Sequence, residues 1–548
     1  LAALLPASAA ADERAKAKSA APLSAPGLET IIQDDGLLLY RPAAEVQAAV
    51  ARMKELGIDR VRVTAHWSSL TRDPESGIKP AGFDARDPGA YEQGRWQGLD
   101  TAIRAIRAAG LKALVDIGFW APHWATTDDP GPRARENIDP QAFADFATAL
   151  ALRYSGGFTP PPTPPQAPPP TEDASLIADL LRPLVPFPLP DPLPRLLPSA
   201  RAAQSGTAAA QPLPSVDRFI VWNEPNHPSL LLPQWNGRRP ASPGVYRPML
   251  RAAYAAVKHV RRTATVLIGN TSSTGGGRLG SGPVAPLVFL RELACVDAKL
   301  KPRTTGDCAN FTPLPGDGWS HHPYSQNERP SRVSKPKTEA GDLRLADLPV
   351  LAKTLDRLVR MGRLAPANRS IHLTEFGYET KGIPGRPRVD ERQQARWLTW
   401  AEYLADRVPA VKSFAQFLLR DQPPAPERVS QSAARPYGEY STGLLNVDGS
   451  DKVASKTFLA GLFAQLQRKG RVLLYGRLRL GAGRKVVVLQ RRVKGGAWRQ
   501  VERLRVDGRA SFQRTIAHTP GSLYRIVYPG PKRARTAGLA LKPVPVRG

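Results

Sequence analysis

The stretch Val216-Asp-Arg-Phe-Ile-Val-Trp-Asn-Glu-Pro-Asn226 decides how the rest of this 548-residue chain is read. Phe219, Ile220, Val221 and Trp222 form a short apolar run rich in β-branched and aromatic side chains. That is the pattern of a strand buried on both faces in a parallel sheet. The run stops at Asn223-Glu224-Pro225. Pro225 donates nothing to a ladder and turns Glu224 away from helical geometry. A carboxylate with an amide beside it therefore stands at the carboxyl end of a buried strand. Ser370-Ile-His-Leu-Thr-Glu-Phe-Gly377 repeats the design, with Glu375 at a second strand end. In a (β/α)8 barrel that end of the strands is the active face.

Outward from these two stretches, strands and helices alternate. Strands are expected at 28–32, 58–64, 111–118, 265–269, 318–321 and 411–419, beside the two already quoted. Helical spacing falls at 43–56, 96–109, 140–154, 245–261, 287–293, 348–364, 390–404 and 454–467, with Gly57 and Gly110 as helix stops. Eight strand–helix units are the count of an α/β (β/α)8 TIM barrel, here spanning 28–469. A proline-rich insertion at 159–215 interrupts it. Its first half can only be polyproline II or unstructured, and its second half is apolar but broken by prolines. From 470 the period changes to two, with Gly495-Gly496, Asp507-Gly508 and Pro520-Gly521 as turns. This predicts a small Ig-like antiparallel β-sandwich at 470–530 and a basic tail at 531–548.

Trp222-Asn-Glu-Pro225 on strand four and Thr374-Glu-Phe-Gly377 on strand seven resemble the clan A glycoside hydrolases, barrel enzymes that include families 5 and 39. The resemblance runs over roughly residues 28–466 and implies a retaining O-glycosidase that needs no cofactor. It makes Glu224 the acid/base and Glu375 the nucleophile. Asn223 would hold the sugar 2-hydroxyl and Arg62 the nucleophile carboxylate. His322 and Tyr324 match a His-x-Tyr pattern whose tyrosine bonds the nucleophile. The residues' own chemistry agrees, because retaining hydrolysis needs two carboxyl groups on one site. Those groups must differ: Glu224 raised by its neighbour's negative charge, Glu375 kept ionised by Arg62 and Tyr324. Trp120 and Trp124, after strand three, are candidates for stacking on a sugar face, one of them meeting substrate. The chain departs from the family at strand eight, where Phe414-Ala-Gln-Phe417 lacks the usual platform tryptophan. Three other readings use the same residues or scaffold: a transglycosylase, a non-catalytic glycan-binding barrel, and a cell-envelope adhesion protein.

Composition narrows the setting. The formal net charge is +29, from 77 Lys and Arg against 48 Asp and Glu. Such a chain expects an anionic partner. From 468 onward there are 21 basic residues and 2 acidic ones, an excess of +19. An anionic cell-wall polymer fits better than nucleic acid, since no recognition-helix or base-stacking pattern accompanies the arginines. Residues 1–10 look like the remnant of a secretory signal peptide and 11–27 like a flexible leader. No apolar run is long enough to span a membrane. In an exported chain Cys295 and Cys308 read as one disulfide, with two free thiols as the alternative. His321 and His322 lack a third ligand at metal spacing, so no metal is expected. The sum is a secreted or wall-associated bacterial monomer acting on an oligosaccharide or polysaccharide.

Overall fold

The computed structural model describes residues 24–127, 131, 134–161, 211–276, 280–380, 388–423, 440–528, 536–537 and 540–545. The chain divides into two compact units, Leu28–Ser455 and Lys456–Gly548 with the N-terminal Leu1–Gly27.

The first unit is a closed parallel barrel. Its strands are, in order, Glu29–Gln33, Arg60–Ala65, Lys112–Ile117, Arg218–Val221, Thr265–Thr271, Trp319–His321, Ile371–Leu373 and Val411–Phe417. Each pairs in parallel with the next, and strand eight closes on strand one. Ile31, Leu114, Ile220, Leu267 and Ala415 form a buried layer from five of the strands. Strand two, Arg-Val-Arg-Val-Thr-Ala, is buried at every residue. Its period of two puts Arg60 and Arg62 on one face of the sheet. At the amino end Arg60 bonds Glu29 at 3.0 Å and Asp217 at 2.6 Å, and Arg218 bonds Glu29 at 2.5 Å. That network ties strands one, two and four together at the face where barrels keep their stability. Arg62 lies two residues nearer the active face.

Seven helices of eight residues or more are described outside the barrel strands: Ala43–Glu55, Gln93–Ala108, Pro140–Arg153, Ser242–Val260, Pro286–Leu293, Leu348–Arg360 and Glu391–Asp406. Gly57 and Gly110 follow two of them with φ of 74° and 75°, a left-handed turn that suits glycine. The eighth helix expected at 454–467 is not there. A short helix, Val453–Phe458, gives way to a strand, Ala460–Gln467. Ala460, Leu462 and Ala464 are buried at a period of two and belong to the core of the second unit. Gly461 is a weak helix former, so alternation prevails over the helical spacing that the same apolar residues offer.

The second unit is a β-sandwich of two four-stranded antiparallel sheets. One joins Ser24–Pro26, Ala510–Ala517, Arg471–Leu478 and Ala460–Gln467. The other joins Arg499–Asp507, Arg484–Arg492, Leu523–Tyr528 and Thr536–Ala537. Leu462, Val472, Leu474 and Phe512 from the first share a core with Val487, Leu489, Leu504 and Ile526 from the second. The unit is therefore larger than the 470–530 span. It takes Ser24–Pro26 from the expected leader, Ala460–Gln467 from the expected barrel, and Leu541, a core residue, from the expected tail.

A truncation test follows from this boundary. A chain ending at 469 keeps Ala460–Gln467 without Arg471–Leu478, its hydrogen-bonded partner, and exposes an apolar edge. It should aggregate. A chain of residues 28–455 should stay soluble, because every barrel strand lies within it. Size-exclusion chromatography of the two fragments checks this.

Cys295 and Cys308 form a disulfide with Cα atoms 5.6 Å apart. No helix among the described residues is long and apolar enough to cross a membrane. The signal-peptide remnant at 1–10, the leader up to residue 23 and residues 162–210 of the insertion lie outside the described residues.

Candidate active site

The carboxyl ends of the barrel strands converge on one cluster. Strand four ends at Val221, and the chain then turns sharply: Trp222 and Glu224 both take left-handed φ, 62° and 38°. Non-glycine residues rarely hold such φ unless the surroundings impose it. Here the backbone N–H of Trp222 donates to the Ile117 carbonyl and that of Glu224 to the Asn270 carbonyl. The strain is anchored to strands three and five and aims Glu224 into the mouth of the barrel. Trp120, Asn270 and Leu418, at three other strand ends, share the left-handed geometry.

Arg62 is the hub beneath. It is fully buried. Nη1 donates to Glu375 Oε1 at 2.6 Å, and Nη2 donates to Asp116 Oδ2 at 2.6 Å and Asn223 Oδ1 at 2.9 Å. Tyr324 Oη donates to the other Glu375 oxygen at 3.0 Å. Both oxygens of Glu375 are thus held by donors. His322 Nδ1 lies 2.8 Å from Glu224 Oε1 and 3.6 Å from Glu375 Oε2. One oxygen of Glu224, one of Glu375 and a ring nitrogen of His322 all lie within 4.8 Å of one another.

Electrostatics follow from burial and pairing. Burial works against the Arg62 charge, but Glu375 and Asp116 outweigh it and hold the guanidinium pKa above its ordinary value. Burial pushes Tyr324 well up, and the charges of Glu375 and Glu224 add to that, so it stays a donor. Burial alone would raise Glu224, yet the hydrogen bond and charge of His322 prevail and hold it below the usual carboxylate range. This corrects the expectation that Glu375 would raise it: the neighbour that prevails is His322, 2.8 Å away, and it acts in the opposite direction. Burial lifts Asp116 to about 6 against the pull of Arg62. As pH falls through that value Asp116 takes a proton and Arg62 loses a counter-charge. If the cluster is catalytic, turnover should decline there, and Asp116→Asn, neutral at every pH, should flatten that limb at a lower plateau. A kcat/KM profile over the acid range reads this out.

Above the cluster opens a cavity of about 650 Å³. Glu224, Glu375, Asn223 and Tyr324 line it, while Arg62 and His322 lie below its floor. Of the two candidate tryptophans only Trp120 lines the cavity. Its Nε1 donates to the Ser229 carbonyl at 3.1 Å and its ring stacks on His66. Trp124 instead packs edge-on against Trp67 and Phe83, with Lys79 over its ring. Its sequence neighbourhood is the same as that of Trp120, but the 3-10 turn His123–Ala125 directs it into an aromatic cluster. At strand eight, where no tryptophan stands, Phe417 lines the cavity with Tyr440 edge-on at 5.4 Å.

No family model matches the chain, and no curated protein matches it. Solved structures do. An FMN-binding β-glucuronidase from Facaelibacterium prausnitzii L2-6 is 10% identical with a TM-score of 0.39, over 95% of this chain and 56% of that one. The exo-β-1,4-mannosidase Op5Man5 from Opitutaceae bacterium strain TAV5 is 15% identical with a TM-score of 0.39, over 79% and 58%. A GH5_18 protein from Bifidobacterium longum subsp. infantis is 16% identical with a TM-score of 0.41, over 79% and 77%. The chain spans about half the length of the β-glucuronidases it matches.

Two buried polar residues of the cluster were not singled out in the sequence. Asp116 interrupts the apolar run Ala113-Leu-Val-Asp-Ile117, and an acid in such a strand is a signal that could have been used. Asn270 follows Val266-Leu-Ile-Gly in the same way. Its Nδ2 donates to the Trp222 carbonyl at 3.0 Å and to Asn223 Oδ1 at 2.9 Å. Glu224, His322 and Glu375 have the spacing of a metal trio. A metal ion there would face the Arg62 guanidinium, which already holds Glu375. The arrangement suits proton handling between two carboxyl groups better than cation binding.

Proposed function

We propose that this protein is a retaining O-glycoside hydrolase. The observation that carries the reading is the pair Glu224 and Glu375, on strands four and seven, with oxygens within 4.8 Å at the floor of one cavity. Retaining enzymes place their carboxyl groups about 5–5.5 Å apart, and inverting ones leave about 6.5–9.5 Å for a water. Glu375, held by Arg62 and Tyr324, attacks the anomeric carbon and forms a glycosyl ester. Glu224 protonates the departing oxygen, then removes a proton from the water that cleaves the ester. Asn223, fixed by Arg62 and Asn270, presents its amide to the sugar, and Trp120 contributes to the cavity wall. The test is a panel of aryl glycosides differing in sugar, with the anomer first formed read by NMR. A product of retained configuration supports the reading; inversion, or no turnover across the panel, counts against it. Transfer to an added sugar acceptor in place of water would make the same site a transglycosylase.

We propose further that the protein is exported and that the sandwich retains it on an anionic wall polymer. The register sets Arg505 across from Val486, Arg503 across from Val488 and Arg525 across from Gln490. Arg503 and Arg505 are exposed, while Leu504 and Val506 between and beside them enter the core. The guanidinium groups of Arg492 and Arg525 lie 5.0 and 4.2 Å from the Trp498 ring. Such a face attracts a polyanion over a range set by the Debye length. The full chain should co-sediment with an anionic wall preparation and release as salt rises through roughly 0.1–0.5 M. The 28–455 fragment should stay in solution; equal, salt-independent binding by both would exclude the tether.

A further inference from the structure

The protonation of His322 is set by a residue outside the catalytic pair. The Asn270 amide has one orientation only. Its Nδ2 faces the Trp222 carbonyl at 3.0 Å, and a carbonyl can only accept. Its Oδ1 therefore faces His322 Nε2 at 2.9 Å, together with the hydroxyls of Ser320 at 2.7 Å and Thr374 at 3.0 Å. An amide oxygen only accepts, so His322 Nε2 carries the proton of that bond. His322 Nδ1 is left facing Glu224 Oε1 at 2.8 Å. If both were bare, a ring lone pair would meet a carboxylate in a buried site. A proton between them removes that repulsion.

We propose that Asn270 is a positioning residue of this site: by holding the Nε2–H form of His322, it obliges His322 Nδ1 and Glu224 to keep a shared proton. On the glycosidase reading, this is the proton that Glu224 passes to the departing oxygen. It returns when Glu224 deprotonates the attacking water, so the pair ends each cycle as it began. The other charged or titratable groups around the pair are Glu375 at 3.6 Å, Arg62 at 3.3 Å from Nε2, Asp116, His321, His227 and Tyr324. His321, pushed down to about 4 by burial, is neutral. Without Asn270 the ring can adopt the other neutral form, with Nδ1–H donating to Glu224 and Nε2 accepting from Arg62. That form is stable with one proton fewer. Loss of the shared proton then becomes easier, and the pH at which it leaves falls. The sign is fixed: Asn270 keeps the acid-competent state up to higher pH.

The experiment uses the full chain with 15N-labelled histidine. Asn270 has a φ of 46°, so Asn270→Gly suits the backbone, and Asn270→Asp keeps an oxygen against Nε2. NMR of His322 in the parent should show Nε2 still protonated after Nδ1 has lost its proton. In Asn270→Gly that loss should move down by about one to two pH units, the worth of one buried hydrogen bond. In Asn270→Asp it should not move down. These readings need no substrate, so they stand even if no glycoside is turned over and the enzymatic reading fails. Where a substrate is found, the basic limb of kcat/KM should shift with the NMR value. The loss in Asn270→Gly should be large for poor leaving groups and small for dinitrophenol. A bare Nε2 in the parent, or equal downward shifts in both variants, overturns the proposal.

Discussion

Replacing Glu375 with alanine should lower turnover by roughly four to six orders of magnitude, the scale of losing a covalent nucleophile. The variant should still fold. Arg62 keeps its 2.6 Å bond to Asp116 and its 2.9 Å bond to Asn223, so the buried guanidinium is not left without a counter-charge. The cavity left by the carboxyl group opens a path for a small anion. Azide or formate should restore part of the rate on an activated aryl glycoside and give a product of inverted configuration. Near-parental rates in the variant would remove Glu375 from the mechanism.

Glu224→Ala should behave differently, and the difference lies in the leaving group. An acid contributes about 10²–10⁴-fold where the departing oxygen needs a proton and little where it does not. For kcat/KM the loss should therefore be large with alkyl or unactivated aryl glycosides and nearly absent with dinitrophenyl glycosides. kcat on the activated substrates should drop as well, because the glycosyl ester then waits for a base. Azide should relieve that second block and yield a glycosyl azide of retained configuration. A uniform loss across leaving groups would make Glu224 a binding residue. The basic limb of the pH profile should disappear with the side chain, since the proton shared with His322 no longer reaches substrate.

Much of this site was legible in the sequence because barrel strands announce their ends. Trp222-Asn-Glu-Pro and Thr374-Glu-Phe-Gly each join a buried run to a residue that breaks the ladder, so both carboxylates could be placed on the active face. Arg62 could be placed too, but only through the resemblance, which puts an arginine near the end of strand two against the nucleophile carboxylate. Asp116 and Asn270 escaped because each is a single polar residue in an apolar run. Nothing local says which strand-end partner will claim it. The aromatic pair Trp120 and Trp124 stayed open for the same reason, and only the turn between them separates cavity from cluster. The eighth helix was misplaced because Ala460, Leu462, Ala464 and Leu466 satisfy a strand face and a loose helical stripe alike. The partner strand Arg471–Leu478 decides, and pairing is not a local property. The Ser24–Pro26 strand shows the limit most clearly. It pairs with Ala510–Ala517 across almost the whole chain, and three residues carry no periodicity.

In the proposed mechanism Glu375 forms a covalent bond to the sugar while Glu224 handles the proton. The most direct measurement is trapping with a 2-deoxy-2-fluoroglycosyl fluoride of whichever sugar the aryl panel identifies, followed by peptide mass spectrometry. The fluorine slows both steps and the good leaving group speeds only the first, so the ester accumulates. One sugar per chain, on the peptide carrying Glu375, with activity returning as the label is lost, is the expected result. A label on another residue, or rapid turnover of the true substrate with no label and an inverted product, would contradict it.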